Sequence, residues 1–394
     1  MKIYFDPVTT QWYQSEIDGT VTLGGEKQPI CFKQAASDHL SFELGIKNNH
    51  LGPLIGIMTA KKRNGSITGN GPLFIELQKK LISHAGISFI FTSEGVHDDS
   101  IEGFTFLPAQ ENWIKINVPF PDLVYNRIPF RKAEQADQSQ HVFQILKEKN
   151  IPFFNPCFID KSELYFLFKN HPILQNFLPE TILAFPKKDL FLFLQKHRNI
   201  YLKPAQSAKG KGIYRLKLIE NNEIFLQGLK KNENFPTFQA FWEHWEQDLT
   251  SKHYLAQEEI DSAQFEGNRF DFRILVHAVQ NDYQITGIGI RQSYHQDLTT
   301  HVPLGGKLLP YQLLQTNEHD EFIQTIVKHA GKVLSDELGF FGEFSIDACV
   351  SHSGNYYLYE INSKPMSFDE TEIETRKIEK LCSLFYQITN FQLF

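Results

Sequence analysis

The sequence predicts an α/β domain followed by a larger α+β domain. Two observations carry this. Over residues 1–135, apolar strand-like runs alternate with polar turns and one helical stretch, a strand–helix–strand rhythm. Over residues 136–394, long alternating runs come in adjacent pairs joined by Asn-bearing turns, with amphipathic helices set apart from them, as in antiparallel sheet covered by helices. A chain of 394 residues, 41% apolar and 22% charged, has room for two or three ordinary domains and is not disordered, collagen-like or coiled-coil.

In order, the first 50 residues alternate short β-like pieces with turns. Leu51-Gly-Pro-Leu-Ile-Gly-Ile-Met58 reads as a buried strand. A Gly/Asn loop, Asn64 to Gly71, precedes a helix with Phe74, Leu77, Leu81 and Ile82 on one face. The glycines of that loop do not fit G-x-G-x-x-G, so a tight turn is expected rather than a dinucleotide site. Ser88 to Thr92 and Leu123 to Ile128 are further strands. From Ser139 to about Lys196 the pattern is mostly helical, with Asp160 placed as the N-cap of a helix holding Leu164 to Phe168. Asn199 to Pro204 is a short strand. Gly212 to Leu218 and Glu223 to Leu229 form a hairpin around Asn221-Asn222. A helix with Phe241, Trp242 and Trp245 leads to the strand Tyr254 to Ile260. Two long strands, Arg269 to Val279 and Tyr283 to Gln292, turn at Asn281-Asp282. A core-facing helix carries Phe322, Ile326, Ala330 and Leu334; the strands Gly342 to Val350 and Tyr356 to Asn362 follow, and an amphipathic helix from about Thr371 to Ile388 closes the chain.

Thirty-nine Lys and Arg against 46 Asp and Glu give a net charge of −7, which offers no footprint for nucleic acid. The 35 Phe are expected in the core. Cys31, Cys157, Cys349 and Cys382 are far apart with no C-x-x-C pair, so four buried, reduced thiols are expected, with neither a disulfide framework nor a zinc site. Asp6 and Pro7 interrupt any signal-peptide core, and Leu190 to Leu194 is too short to span a bilayer. The expectation is a soluble, cytoplasmic protein without membrane insertion.

Four groups of residues have chemical character. The first is Lys203-Pro-Ala-Gln-Ser-Ala-Lys-Gly-Lys-Gly-Ile213, where a lysine closes one strand and a loop of Ser207, Lys209, Gly210, Lys211 and Gly212 opens the next. Backbone N–H groups of such a loop can lie against phosphate while its cations neutralise it; it is not a Walker A loop, and a flexible basic hairpin is the competing reading. The second is Asp347 in an alternating strand with Glu360 and Asn362 two apart on the next, so that a hairpin groups three hard oxygen ligands of the kind Mg²⁺ takes. Solvent-face decoration is the alternative. The third is Arg273 and Arg291, each interrupting an apolar run, where a guanidinium needs an anionic partner. Gln257, Glu258, Glu259 and Ile260 end a strand and could present backbone groups to an adenine edge. The fourth is Asn126, Arg127 and Arg131 after the Leu123 strand, candidates for gripping a substrate carboxylate, with Gly305-Gly306 as a close-approach point. No Ser-His-Asp or Cys-His set is visible, and His141, His244 and His277 read as packing or surface residues.

In that order these features strongly resemble the ATP-grasp superfamily over about residues 140–390. Leu51-Gly-Pro-Leu-Ile-Gly-Ile57, Tyr125-Asn-Arg-Ile-Pro129, Phe154-Asn-Pro156 and Tyr359-Glu-Ile-Asn-Ser-Lys-Pro365 resemble, more narrowly, the YheC/YheD family of spore-forming bacteria. The resemblance implies an α/β domain (1–135) before an ATP-grasp fold (136–394), whose two subdomains clamp ATP. These would be a helical linking part (136–198), a Lys/Gly-loop subdomain (199–260) and a metal and arginine subdomain (261–394). It implies that Lys203 contacts the α/β-phosphates and Ser207 to Gly212 cover the β/γ-phosphates. Gln257 to Ile260 would form the adenine hinge, and Asp347, Glu360 and Asn362 would carry Mg²⁺. Arg291 would stabilise an acyl-phosphate with Arg273 beside it, and Lys364 would stand at the substrate end. Thr299-Thr-His-Val-Pro-Leu304 departs from the family pattern, which often has a small polar residue and Asn near this point. The implied activity is ATP-dependent joining of a carboxylate to an amine or thiol, with ADP and phosphate as products. The alternative is a nucleotide-binding structural component associated with a spore coat.

Overall fold

The computed structural model describes residues 1–16, 19–206, 211–293, 300 and 305–393. The first 52 residues form a seven-stranded sheet in which Lys2–Asp6 pairs with Gln11–Gln14 and Leu40–Glu43. A six-stranded sheet follows, ordered Asn112–Val118, Ile101–Leu107, Ile87–Val96, Leu54–Met58, Leu123–Asn126 and Phe153–Phe154, parallel from Ile87–Val96 onward. Every residue of Leu54–Met58 is buried, because both faces are covered. Leu54 and Met58 join the core containing Val142, Phe143 and Leu146 of the helix Asp137–Glu148. Ile55 and Ile57 join the core containing Leu73, Phe74, Leu77 and Leu81 of the helix Gly71–Ile82. That α/β body therefore runs to about residue 154, past the expected boundary at 135, since the helix and strand beyond it complete its core. Pro53 also divides the strand expected over Leu51 to Met58 into His50–Gly52 and Leu54–Met58, because it has no N–H for the ladder.

The remainder is built on two further sheets. The first is ordered Thr181–Leu183, Tyr254–Glu258, Asn199–Pro204, Tyr214–Leu218, Ile224–Gly228 and Asn232–Phe235. Its apolar face is covered by the helices Lys187–His197 and Phe238–Ser251, through Leu190, Phe193, Phe241, Trp242 and Trp245. Residues 181–198 thus belong to this subdomain and are not a linking part. The second sheet is antiparallel throughout: Gly306–Pro310, Asp282–Ser293, Asn268–Val279, Glu343–Val350 and Tyr356–Asn362. Phe270, Phe272, Ile274 and Val276 point to a core with Phe322, Ile326, Ala330 and Leu334 of the helix Asn317–Leu338. The C-terminal helix Thr371–Thr389 packs Leu381, Leu384 and Phe385 into the same cluster as Ile55, Leu77 and Tyr125, joining this part to the N-terminal body.

The four thiols are free, but Cys31 is exposed and Cys157 only half-buried, whereas Cys349 and Cys382 are buried as expected. No helix among the described residues is long and apolar enough to cross a membrane.

Candidate active site

A cleft lies between the last two sheets, and strand alternation decides what faces it. Because Phe270, Phe272 and Ile274 point to the core, Arg269, Asp271 and Arg273 point the other way. Among the described residues the cleft lining carries seven cationic side chains, Arg131, Lys161, Lys203, Arg269, Arg273, Arg291 and Lys364, against four carboxylates, Glu258, Asp271, Asp347 and Glu360. That excess suits a polyanion.

Lys203 stands at the end of its strand, held between the rings of Tyr201 (5.6 Å) and Tyr359 (5.3 Å), and donates to Gln257 Oε1 at 2.5 Å. Burial, partly offset by Glu360, lowers its pKa to about 8. Gln257 is fixed in turn by donating to Thr181 Oγ1 at 3.0 Å. Glu258 and Ile260 line the cleft. Glu258 accepts from the Glu180 N–H at 2.7 Å, whereas Glu259 turns away to Arg215, 2.8 Å distant. Ser207, Lys209 and Gly210 lie outside the described residues. Gly212 has φ +73°, and its carbonyl accepts from Tyr254 Oη at 3.0 Å; it and Lys211 line a neighbouring depression next to the Lys203 strand.

On the opposite wall, Asp347 and Glu360 are direct cross-strand partners. Asn362 donates Nδ2 to Asp347 Oδ2 at 3.2 Å, which leaves its carbonyl oxygen available as a ligand. Lys161 Nζ lies 3.1 Å from Glu360 Oε1. Among the described residues no three His, Cys, Asp or Glu side chains cluster as metal ligands. Two carboxylates and one carboxamide nonetheless fit Mg²⁺, which draws its other ligands from water and phosphate. Arg273 Nη1 is 3.9 Å from Asp347 Oδ1, and its guanidinium lies over the Phe368 ring. Arg291, 9% exposed, has no hydrogen-bond or ion-pair partner among the described residues; burial, with Arg273 next to it, lowers its pKa. Asp271 accepts from Thr300 Oγ1 at 2.7 Å, and burial raises its pKa.

Four of the expected substrate contacts are engaged with protein partners. Asn126 is fully buried and donates to Glu134 (2.8 Å) and to the Asn155 carbonyl (2.9 Å). Arg127 is buried, donating to Glu343 Oε2 (3.3 Å) and to the Pro365 carbonyl (3.0 Å). Neither lines the cleft. Gly306 opens an edge strand paired to Ser293, with Gly305 at φ +98° ahead of it, and neither lines the cleft. Arg131 does line its rim but spends its guanidinium on the carbonyls of Phe158 and Ile159. Lys364 reaches the lining while paired with Glu134, and burial lowers its pKa to about 8. Sequence reasoning missed Lys161, Arg269, Asp271, Tyr201 and Tyr359. A signal existed for two of them: Arg269, Asp271 and Arg273 alternate with core phenylalanines on one strand.

The YheC/D-like ATP-grasp family model matches residues 150–390. The chain belongs to that family. Among curated proteins it is 29% identical to the endospore coat-associated protein YheD of Bacillus subtilis over 340 residues, covering 80% of this chain and 73% of the relative. It is 24% identical to YheC of the same organism over 302 residues, covering 71% and 81%. Its fold is similar to that of D-alanyl-alanine synthetase A from Vibrio cholerae (TM-score 0.54, 13% identity, 86% of this chain and 99% of that one). It is also similar to the VanG D-Ala:D-Ser ligase of Enterococcus faecalis (TM-score 0.51, 12% identity, 85% and 99%). The ATP-grasp arrangement expected from the sequence is thus the fold observed.

Proposed function

We propose that this YheC/D-like ATP-grasp protein is an ATP-dependent ligase that activates a carboxylate as its acyl-phosphate and transfers it to an amine or thiol. One observation carries the reading: two opposed sheets bring Lys203, Arg273 and Arg291 into one cleft with Asp347, Glu360 and Asn362. A carboxylate is a poor acylating agent because oxide would have to leave. Moving the γ-phosphoryl group onto it needs positioning and charge neutralisation and no nucleophilic side chain. The residues divide that work. Lys203 meets phosphate from the hinge side, while Glu258 and Ile260 border the nucleotide's base end. Asp347, Glu360 and Asn362 would hold Mg²⁺, whose chemistry there is neutralisation of the β- and γ-oxygens. Arg291, without a hydrogen-bond or ion-pair partner among the described residues, is a cation available to the transferring phosphoryl group, with Arg273 next to it.

Thermal unfolding with and without Mg·ATP tests the site. Ligand at about a hundred times Kd adds roughly 2.7 kcal/mol to the state that binds it, so Tm should rise by a few degrees. Glu360→Gln should lose that rise, and no rise in either protein would remove the reading. A second reading is that the fold binds nucleotide without turnover as a coat component; the coat-associated names of the two relatives favour it. ADP release separates the two, since a binding module makes none with any mixture of acids and amines.

A further inference from the structure

The ligase reading leaves one polar group beside the cleft without a task. Glu370 immediately precedes the C-terminal helix, whose first turn lies over the Asp282–Ser293 strand. The approach depends on glycine. A Cβ at Gly287 would meet Ile373 at 2.7 Å, and one at Gly289 would meet Glu370 Oε1 at 2.4 Å and Oε2 at 3.4 Å. Gly289 is the cross-strand partner of Arg273, and Arg291 follows it by two residues on the same face. The Glu370 carboxylate therefore lies beside the Arg273–Arg291 pair, and its charge acts on Arg291. Yet it forms no ion pair with either arginine, and both of its oxygens are shielded from solvent with no hydrogen-bond partner among the described residues. A carboxylate held without water or donors costs free energy that a donor on a ligand recovers.

The chemistry of the two-step reaction says what that donor is. Phosphates and the acid substrate are anions; the cleft's cations suit them, and Glu370 repels them. The remaining reactant is the acceptor. An alkyl amine arrives at neutral pH as an ammonium group with three donors, and it must lose a proton before its nitrogen can attack. We infer that Glu370 receives the ammonium group of the acceptor and takes the proton that frees its lone pair, so that the acceptor is a primary amine rather than an alcohol or a thiol. In that step the nitrogen forms a bond to the acyl carbon, and the bond from that carbon to the phosphate oxygen breaks with its electron pair going to phosphate. One amine proton passes to Glu370 and on to solvent; the second leaves with phosphate. This rests on the ligase reading.

The test uses the full chain with Mg·ATP and a mixture of free amino acids, which supply both carboxylates and cationic amines. Hydroxylamine, uncharged at neutral pH, is added in a parallel set to trap the acyl-phosphate as a hydroxamate. In Glu370→Gln, the ratio of amine-dependent ADP release to hydroxamate formation should fall at least tenfold. Gly289→Ala should move the ratio the same way, because its Cβ displaces the carboxylate. Both variants should keep the Mg·ATP thermal shift. A ratio unchanged from wild type, whether both activities persist or both fall together, overturns the role of Glu370. A wild-type protein that makes neither ADP nor hydroxamate overturns the ligase reading itself, and the inference with it.

Discussion

Lys203 is where a single residue's environment has a measurable consequence. Half-buried between two tyrosine rings, its amine holds a proton only up to about pH 8 in the free protein. Phosphate prefers the charged form. Mg·ATP affinity should therefore weaken as pH rises through that value, by about tenfold between roughly pH 7 and 9 if the ammonium is required. Titration calorimetry across that range checks it. Lys203→Arg should flatten the dependence, since a guanidinium stays charged throughout. A flat profile in the wild type would mean that Lys203 does not touch phosphate.

At the scale of elements, the short strand Phe153–Phe154 and the residue after it join separate parts of the chain. Asn155 adopts φ +58° and is fully buried. Its Nδ2 donates to the carbonyls of Glu343 (2.9 Å) and Ser363 (2.6 Å), while its Oδ1 accepts from the N–H groups of Gly342 (3.0 Å) and Glu343 (3.2 Å). One carboxamide thus ties the α/β body to the start of the Glu343–Val350 strand and to the loop after the Tyr356–Asn362 strand. Asn155→Ala leaves four backbone groups without that partner, each costing about 1–3 kcal/mol when it stays buried. The loss should be about 3 kcal/mol or more in denaturant titration. Asn155→Asp should rescue little, because a carboxylate cannot donate to the two carbonyls. A loss below about 1 kcal/mol would show that these groups find other partners.

For the molecule as a whole, a buried ionic cluster joins its parts. Glu343, fully buried at the start of the Glu343–Val350 strand, accepts from Tyr125 Oη at 2.5 Å and from Arg127, both on the α/β body. Its other oxygen faces His277 Nε2 at 3.7 Å and Lys377 of the C-terminal helix at 3.6 Å. His277 also shares a 2.7 Å hydrogen bond with Thr286, and burial lowers its pKa to about 4. Between about pH 6.5 and 4 the unfolded chain binds a proton at this histidine that the folded chain does not, so stability falls as pH drops through that window. The Glu343 pKa is lowered too, against its burial, by Lys377 and Arg127. Its contribution is present above the ordinary carboxylate range and is lost at more acid pH. Urea midpoints against pH should show the first decline, and His277→Gln should make it shallower. An unchanged slope would remove the assignment. Glu343→Gln, which strands two buried cations, should cost about 3–5 kcal/mol at neutral pH.

Local pattern sufficed wherever one face of an element had to be apolar. Period-two and helical spacing place the arginine strands, the hairpin carrying Asp347 and Glu360 and both long helices of the C-terminal half within a few residues of where they lie. Lys203, Asp347, Glu360, Asn362 and Arg291, which the structure gathers in one cleft, stand out in the sequence because each breaks an apolar alternation or closes a strand. The sequence alone thus determined which residues share a strand face, and through the order of its motifs the family. Tertiary structure decided what each face meets. Asn126 and Arg127 look like anion-binding residues in isolation, but their partners, Glu134 and Glu343, are respectively 8 and 216 residues away. Among the described residues the Arg291 and Glu370 side chains lack partners for a reason no local pattern carries: the C-terminal helix settles on Gly287 and Gly289 and sets Glu370 beside the Arg291 strand. Side-chain direction is a local property of backbone geometry, whereas the pairing of charges depends on contacts made only after the sheets and the C-terminal helix have packed.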